Sequence, residues 1–359
     1  LSATLGYNDP TYGQAGLEAS LDGYLRGDEG YPASTIWWNH LVYGQPPTGL
    51  NIRLSLDLEL QERADQLLAG HTGALVLLNA SNGEILAMSS HPNFDPSQLA
   101  SEWQELIAHP DSPLLNRATQ ALYHPGTALS PFLLADSLQS GTPDLPEQMS
   151  VSYKGKNWLC PEFPTGILEW GMVVSDGCPG AAVSLVSHFS VTQYNSLLSQ
   201  LGLYRAPQLP LSVAQPDQQQ SFTSPSEAIL GASQIKVTPL QMALAAATLS
   251  NNGKLLTPQL ALAVQIPNQG WVFFPTQQPT NVSIPHLADA AKMLASSDFP
   301  GWDSLGTSST EQGNLTWYVG GTLPDWNGTP LALALVLEEN NPYLARSIGQ
   351  TVLQAAENP

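Results

Sequence analysis

The sequence predicts an α+β domain whose sheet is assembled from both ends of the chain. Three observations carry this expectation. Near the start, two apolar runs at 73–78 and 84–89 flank Asn79-Ala80-Ser81-Asn82-Gly83, a stretch with turn chemistry. Near the end, two more apolar runs stand at 315–320 and 331–337, and the second is continuous enough for a buried strand. Between them, from about Pro125 to Asn252, the pattern is mainly helical with long polar loops.

The elements follow in order. Residues 1–50 are set apart by glycine and tyrosine, in Tyr12-Gly13-Gln14-Ala15-Gly16-Leu17-Glu18 and Asp22-Gly23-Tyr24-Leu25-Arg26-Gly27. They are expected to form a small irregular module closed by the linker Gln45-Pro46-Pro47-Thr48-Gly49, with 51–359 as the main domain. A helix then starts at Asp57, a good N-cap, carries Leu60, Ala64, Leu67 and Leu68 on one face, and is stopped by Gly70. A loop at 207–226 is dense in Pro, Gln and Ser. Thr238-Pro239-Leu240-Gln241 is a capping box with proline at the first helical position, and the small-residue helix behind it ends at Asn251-Asn252-Gly253. Residues 345–356 read as a closing helix.

Composition excludes several functions. Acidic residues outnumber basic ones 30 to 11, giving a net charge of -19, so a phosphate backbone is repelled and nucleic-acid binding is not expected. There is no basic patch for anionic lipid and no apolar run near the ~18 residues that a spanning helix needs. The chain begins at Leu1 without a signal peptide, and is expected to be the extracytoplasmic part of a longer, anchored protein. Histidines are scattered and no cysteine pair has zinc spacing, so neither a metal nor another cofactor is implied. Cys160 and Cys178 are either one disulfide or two buried thiols.

The stretch that gives these elements a function is Tyr123-His124-Pro125-Gly126-Thr127-Ala128-Leu129-Ser130-Pro131, preceded by Pro113-Leu114-Leu115-Asn116-Arg117-Ala118. It resembles the nucleophile segment of penicillin-binding proteins, where a similar run leads into Ser-x-x-Lys. Other blocks resemble the class B members of that family in the same order. They are the Gly/Tyr segment of the first fifty residues, the hairpin Gly73-Ala74-Leu75-Val76-Leu77-Leu78-Asn79 to Phe94-Asp95-Pro96, the helix after Val237-Thr238-Pro239-Leu240-Gln241-Met242-Ala243, and Trp317-Tyr318-Val319-Gly320. The resemblance implies the penicillin-binding and β-lactamase-like transpeptidase fold and acyl transfer on peptidoglycan stem peptides through a serine ester.

It also implies where the working groups should stand, and there the chain departs from the pattern. Thr127 occupies the serine position of Ser-x-x-Lys and Ser130 the lysine position, leaving a hydroxyl with no base. Read without the family, Thr127 is an N-cap and Ser130 a first-turn residue. Ser175-Asp176-Gly177 stands at Ser-x-Asn, with Ser175 retained and Gly177 replacing the asparagine. Ser304-Leu305-Gly306-Thr307 stands at Lys-Thr-Gly-Thr, where Gly306 and Thr307 survive and the substrate-facing cation does not. None of the five lysines (Lys154, Lys156, Lys236, Lys254, Lys292) precedes Thr-Gly or Ser-Gly, so the third motif is absent in any register. The literal match Ser233-Gln234-Ile235-Lys236 precedes the capped helix and reads as coincidence.

The expected function is therefore that of a catalytically silent relative in cell-wall assembly: a scaffold, a regulator or a peptide binder. Its expected partners are cell-wall synthesis proteins, with weak binding of stem peptide or β-lactam, and a membrane only through an anchor outside this chain. The alternative is an active or slow D,D-transpeptidase or carboxypeptidase, or a β-lactam sensor, acylated at Thr127. Because the frame survives, Thr127→Ser, Ser130→Lys, Gly177→Asn and Ser304→Lys together are expected to regain some acylation, while each alone is not.

Overall fold

The computed structural model describes residues 1–216, 222, 224–231, 235–310 and 313–357. Its centre is a five-stranded antiparallel sheet. Strands β1 (Gly73–Asn79) and β2 (Ile85–His91) come from the early hairpin, and β3 (Gly301–Thr310), β4 (Gly313–Thr322) and β5 (Leu331–Leu337) from the late part of the chain. Their order is β3-β4-β5-β1-β2, so the two ends of the chain meet where β5 pairs with β1, from Leu331↔Asn79 to Leu337↔Gly73. The expected sheet is thus present, and β3 is the strand the apolar pattern missed. Its residues Asp303, Ser304, Gly306, Thr307 and Ser308 are polar or small, yet all lie inside the protein.

Side chains on successive strand residues point to opposite faces, and each face has its own cover. Ala74, Val76 and Leu78 of β1 and Ala332, Ala334 and Val336 of β5 join the core of the helical side. Leu75 and Leu77, with Leu333, Leu335 and Leu337, pack instead on Ala64 and Leu68 of α1 (Leu58–Leu68) and on Ile348, Val352 and Leu353 of the closing helix, Pro342–Glu357. Both faces are covered, which is why the 331–337 run is uninterrupted by polar residues. Asp57 caps α1 by accepting from the Glu59 and Leu60 N–H groups.

On the helical side lie α2 (Ser130–Ser140), α3 (Trp170–Ser175) and α4 (Pro239–Ser250), so the closing helix is α5. Every residue of α4 is buried, and its run of small side chains lets it lie close to the sheet. The capping box forms, with Thr238 Oγ1 accepting from the Gln241 N–H and the Gln241 side chain accepting from the Thr238 N–H. The Gln241 amide nitrogen then reaches out to the carbonyls of Leu203 (3.2 Å) and Arg205 (2.9 Å), fixing the chain that leads into the proline-rich loop.

The first fifty residues form a short hairpin and four helices. Leu17 and Leu21 insert into the main core, whereas the helix Ala33–Tyr43 buries no residue. Its Trp37, Trp38, Leu41, Val42 and Tyr43 are exposed. Among the described residues no helix is long and apolar enough to cross a membrane.

Candidate functional site

Residues from all three stretches singled out in the sequence, Thr127, Gly177 and Thr307, meet in space. The segment Gly126–Leu129 is a 3-10 turn that runs directly into α2, and the edge strand β3 lies flat against it. Glycines permit this approach. A Cβ on Gly306 would sit 2.5 Å from the Ala128 nitrogen, and one on Gly126, where φ is +55°, would sit 2.1 Å from the Thr307 carbonyl oxygen. Any side chain at either position would force strand and turn apart.

The consequence is a sealed site. Thr127 is 0% exposed, Ser130 1%, Ser304 0% and Thr307 7%. The Thr127 hydroxyl donates to the Gly177 carbonyl (3.3 Å) and accepts the Thr307 N–H (2.9 Å). Both partners are main-chain groups, and neither can take a proton near neutral pH. Thr127 is therefore no N-cap; it bolts the turn to β3 and to the loop after α3. Ser130 is the first residue of α2, and its hydroxyl is buried without a hydrogen-bond partner among the described residues. Ser304 points to the helical side, where its hydroxyl donates to the Val174 carbonyl at 2.8 Å.

Gly177 closes the arrangement. Its φ is +67°, a region costly for residues with a side chain, and a Cβ there would lie 2.7 Å from the Leu305 carbonyl oxygen. A disulfide joins the neighbouring Cys178 to Cys160, with Cα atoms 4.2 Å apart, and so staples the 160–162 segment beside this loop.

Ser175 belongs to a different group of residues. Its hydroxyl donates to Asp303 Oδ1 (3.2 Å), while Arg346 Nη2 donates to the Ser175 carbonyl (2.8 Å) and to its Oγ (3.1 Å). Arg346, on α5, also pairs with Glu162, with Asp176 at 3.4 Å and with Asp303 at 3.6 Å. Gln350 donates to the other Asp303 oxygen at 2.8 Å. One cation thus faces three carboxylates. Burial pushes Glu162, Asp176 and Asp303 above the usual carboxylate range, and the Arg346 charge only partly offsets it. Asp303 directly precedes Ser304, but Glu162 and Arg346 carry no local sequence signal. The available hint was scarcity: with 11 basic residues in the chain, an arginine in a closing helix is a candidate for a buried pair.

A second clamp holds the segment before the turn. Arg117 Nε donates to Glu338 (2.8 Å) at the end of β5, and the Tyr123 hydroxyl donates to the same oxygen (2.7 Å). Burial, then the Glu338 charge, pushes the Tyr123 hydroxyl well above the usual phenol range, so it stays a donor. Of the literal Ser-x-x-Lys match, Ser233 and Gln234 lie outside the described residues, and Lys236 is exposed. No cluster of His, Cys, Asp and Glu suited to a metal occurs among the described residues.

Residues 73–345 match the penicillin binding protein transpeptidase domain. Among curated relatives, the chain is 28% identical over 285 residues to the peptidoglycan D,D-transpeptidase MrdA of Acinetobacter baumannii, covering 70% of this chain and 42% of that protein. It is 30% identical over 299 residues to the peptidoglycan D,D-transpeptidase PbpA of Mycolicibacterium smegmatis, covering 73% of this chain and 58% of the relative. The chain thus spans about half the length of the curated relatives it matches. Among solved structures, PBPA from Mycobacterium tuberculosis superposes with a TM-score of 0.85 at 22% identity, over 99% of this chain and 91% of that one. The D,D-transpeptidase domain of a peptidoglycan glycosyltransferase from Eggerthella lenta gives 0.81 at 21% identity, over 99% and 89%. These likenesses establish the fold.

Proposed function

This chain belongs to the penicillin-binding protein transpeptidase family, and from that premise we propose that it serves cell-wall assembly without catalysing acyl transfer, as a scaffold or regulator that binds protein partners. The single observation that carries the reading is the state of the Thr127 hydroxyl. It is wholly buried and held by the Thr307 N–H and the Gly177 carbonyl. In an acyl-transfer site, N–H groups at such a place stabilise the oxyanion of the intermediate. Here the Thr307 N–H is already committed to the protein's own hydroxyl. Among the described residues no basic side chain is hydrogen-bonded to it, and general-base assistance is typically worth about 100- to 10,000-fold in rate. Groups that act as a unit do not lose activity in proportion when several are missing.

Two further features support a binding role. The Cys160–Cys178 disulfide fits an oxidising, extracytoplasmic compartment. The module at 1–50 carries the helix Ala33–Tyr43, whose Trp37, Trp38 and Leu41 face solvent; tryptophan and tyrosine are enriched among binding hot spots.

Incubation with fluorescent penicillin at neutral pH is the direct test, and no labelled band is expected. A relative of this fold, penicillin-binding protein A of M. tuberculosis, forms an acyl-enzyme with imipenem and is the positive control. A band that disappears in Thr127→Ala would overturn the silent reading in favour of a sensor or slow enzyme. For non-covalent ligands, calorimetric titration with a D-Ala-D-Ala pentapeptide is expected to show only weak binding. Ser304 is spent on the Val174 carbonyl, and a cation to meet the peptide carboxylate is missing from its motif. Micromolar affinity, lost in Thr307→Val, would instead make the protein a stem-peptide receptor.

A further inference from the structure

Away from the sealed site, two adjacent cavities of about 350 and 240 Å³ share Gln208, Thr257, Pro258 and Gln277 in their walls, and are halves of one trench. The larger half is walled by Leu21 of the N-terminal module and by Leu209, Pro210 and Phe274. The smaller is walled by Leu201, Leu244 and Leu255, with Arg205. Ser20 Oγ donates to the Pro210 carbonyl (2.8 Å), so the module and the start of the proline-rich loop are tied together at one end. Gln277 donates to Gln208 (2.6 Å) where the halves meet.

Arg205 is the one charged residue on the trench wall. In a chain of net charge -19, Arg26, Arg117, Arg346, Lys154 and Lys292 have carboxylate partners, whereas Arg53, Arg63, Lys236 and Lys254 have none among the described residues. Arg205 is exposed and pairs with no carboxylate among the described residues. Its backbone is nevertheless held in place, since its carbonyl accepts from the Gln241 amide. It stands over a trench whose other lining residues carry no charge.

We infer that this trench is the seat of an extended, internal segment of a partner protein, built of proline and aliphatic residues with one acidic side chain that pairs with Arg205. The aliphatic walls take the apolar side chains. The Thr257 and Thr276 hydroxyls both donate and accept, which matches a peptide main chain. The Arg205 guanidinium is the one cation in the lining, and its planar fork suits a carboxylate. The trench gives the non-catalytic reading a partner class, yet it is tested separately, because penicillin labelling reports on Thr127 alone.

The probes are short acetylated and amidated fluorescent peptides of Pro, Leu and Thr carrying one Asp at each position in turn, with Asn and Lys counterparts, read by polarisation. At least one Asp peptide is expected to bind in the micromolar range, about tenfold or more tighter than its Asn counterpart. Arg205→Gln is expected to abolish that difference, and Arg205→Glu to transfer the preference to the Lys peptide. Arg205 is exposed, so both variants should keep the parent circular dichroism and melting curve. The inference is overturned if no peptide binds, if Asp and Asn peptides bind alike, or if binding ignores Arg205→Glu. Tighter binding of peptides with a free C-terminus would overturn the internal segment in favour of a chain end.

Discussion

The fourfold variant Thr127→Ser, Ser130→Lys, Gly177→Asn, Ser304→Lys is expected to melt far below the parent and to take up no fluorescent penicillin. The sequence frame alone suggests the opposite, since each change restores a family residue. The packing decides otherwise. Residues 130 and 304 are buried, and the hydroxyl of Ser130 has no partner among the described residues. An unpaired ammonium in such a place costs several kcal/mol or forces the lysine to give up its proton. Asparagine at 177 would adopt φ near +67° with its Cβ 2.7 Å from the Leu305 carbonyl oxygen. Backbone strain of that kind costs on the order of 1–3 kcal/mol before the contact is counted. Together these losses approach the about 5–15 kcal/mol by which folded domains are stable. Thermal melts followed by circular dichroism, with penicillin labelling of the folded fraction, are the measurement. A folded, labelled fourfold variant would show that the buried site reopens readily and that its closure is no barrier to acylation.

Arg346→Met is expected to destabilise the protein by about 3–5 kcal/mol at neutral pH, because removing one partner leaves buried charge uncompensated. The figure should fall at the lower end, since the Arg346, Glu162 and Asp176 side chains keep some solvent contact, at 17%, 17% and 15% exposed. The pH dependence follows from the raised carboxyls. In the folded protein Glu162, Asp176 and Asp303 hold protons more tightly than in the unfolded chain. The stability they contribute is fully present below the ordinary carboxylate range, near about pH 4, and is lost as pH rises through their higher folded values. Without Arg346 those values rise further. The deficit of the variant should therefore be largest at neutral pH and shrink on acidification. Urea midpoints at about pH 7 and about pH 5 check this. A deficit that does not change with pH would mean that Arg346 acts through packing and not through its charge.

Much of the architecture was legible because it rests on local rules. The hairpin at β1 and β2, the uninterrupted 331–337 strand, the Asp57 cap and the Thr238–Gln241 capping box each follow from short-range spacing, and each is present. The order of motif blocks also placed Thr127, Gly177, Ser304 and Thr307 together before any coordinates, and the register of β3 on β4 brings them there. Strand β3 itself was not legible. Its Asp303, Ser304 and Thr307 find hydrogen-bond partners far away in sequence, so no alternation of apolar and polar residues marks it.

What the sequence determined by itself is which residues stand at the motif positions: no lysine at 130 or 304 and no asparagine at 177. What only the tertiary structure decided is that these positions are buried behind β3. Closure depends on how near β3 can come to the 126–129 turn. That distance is set by glycines at 126, 177 and 306, which lie on three separate segments and exclude one another's neighbours only when the chain is folded. The Arg346 cluster and the exposed Arg205 have the same origin. Whether a cation is paired, buried or free is a matter of which segments pack beside it, and a side chain's charge says nothing of that until the fold has chosen its neighbours.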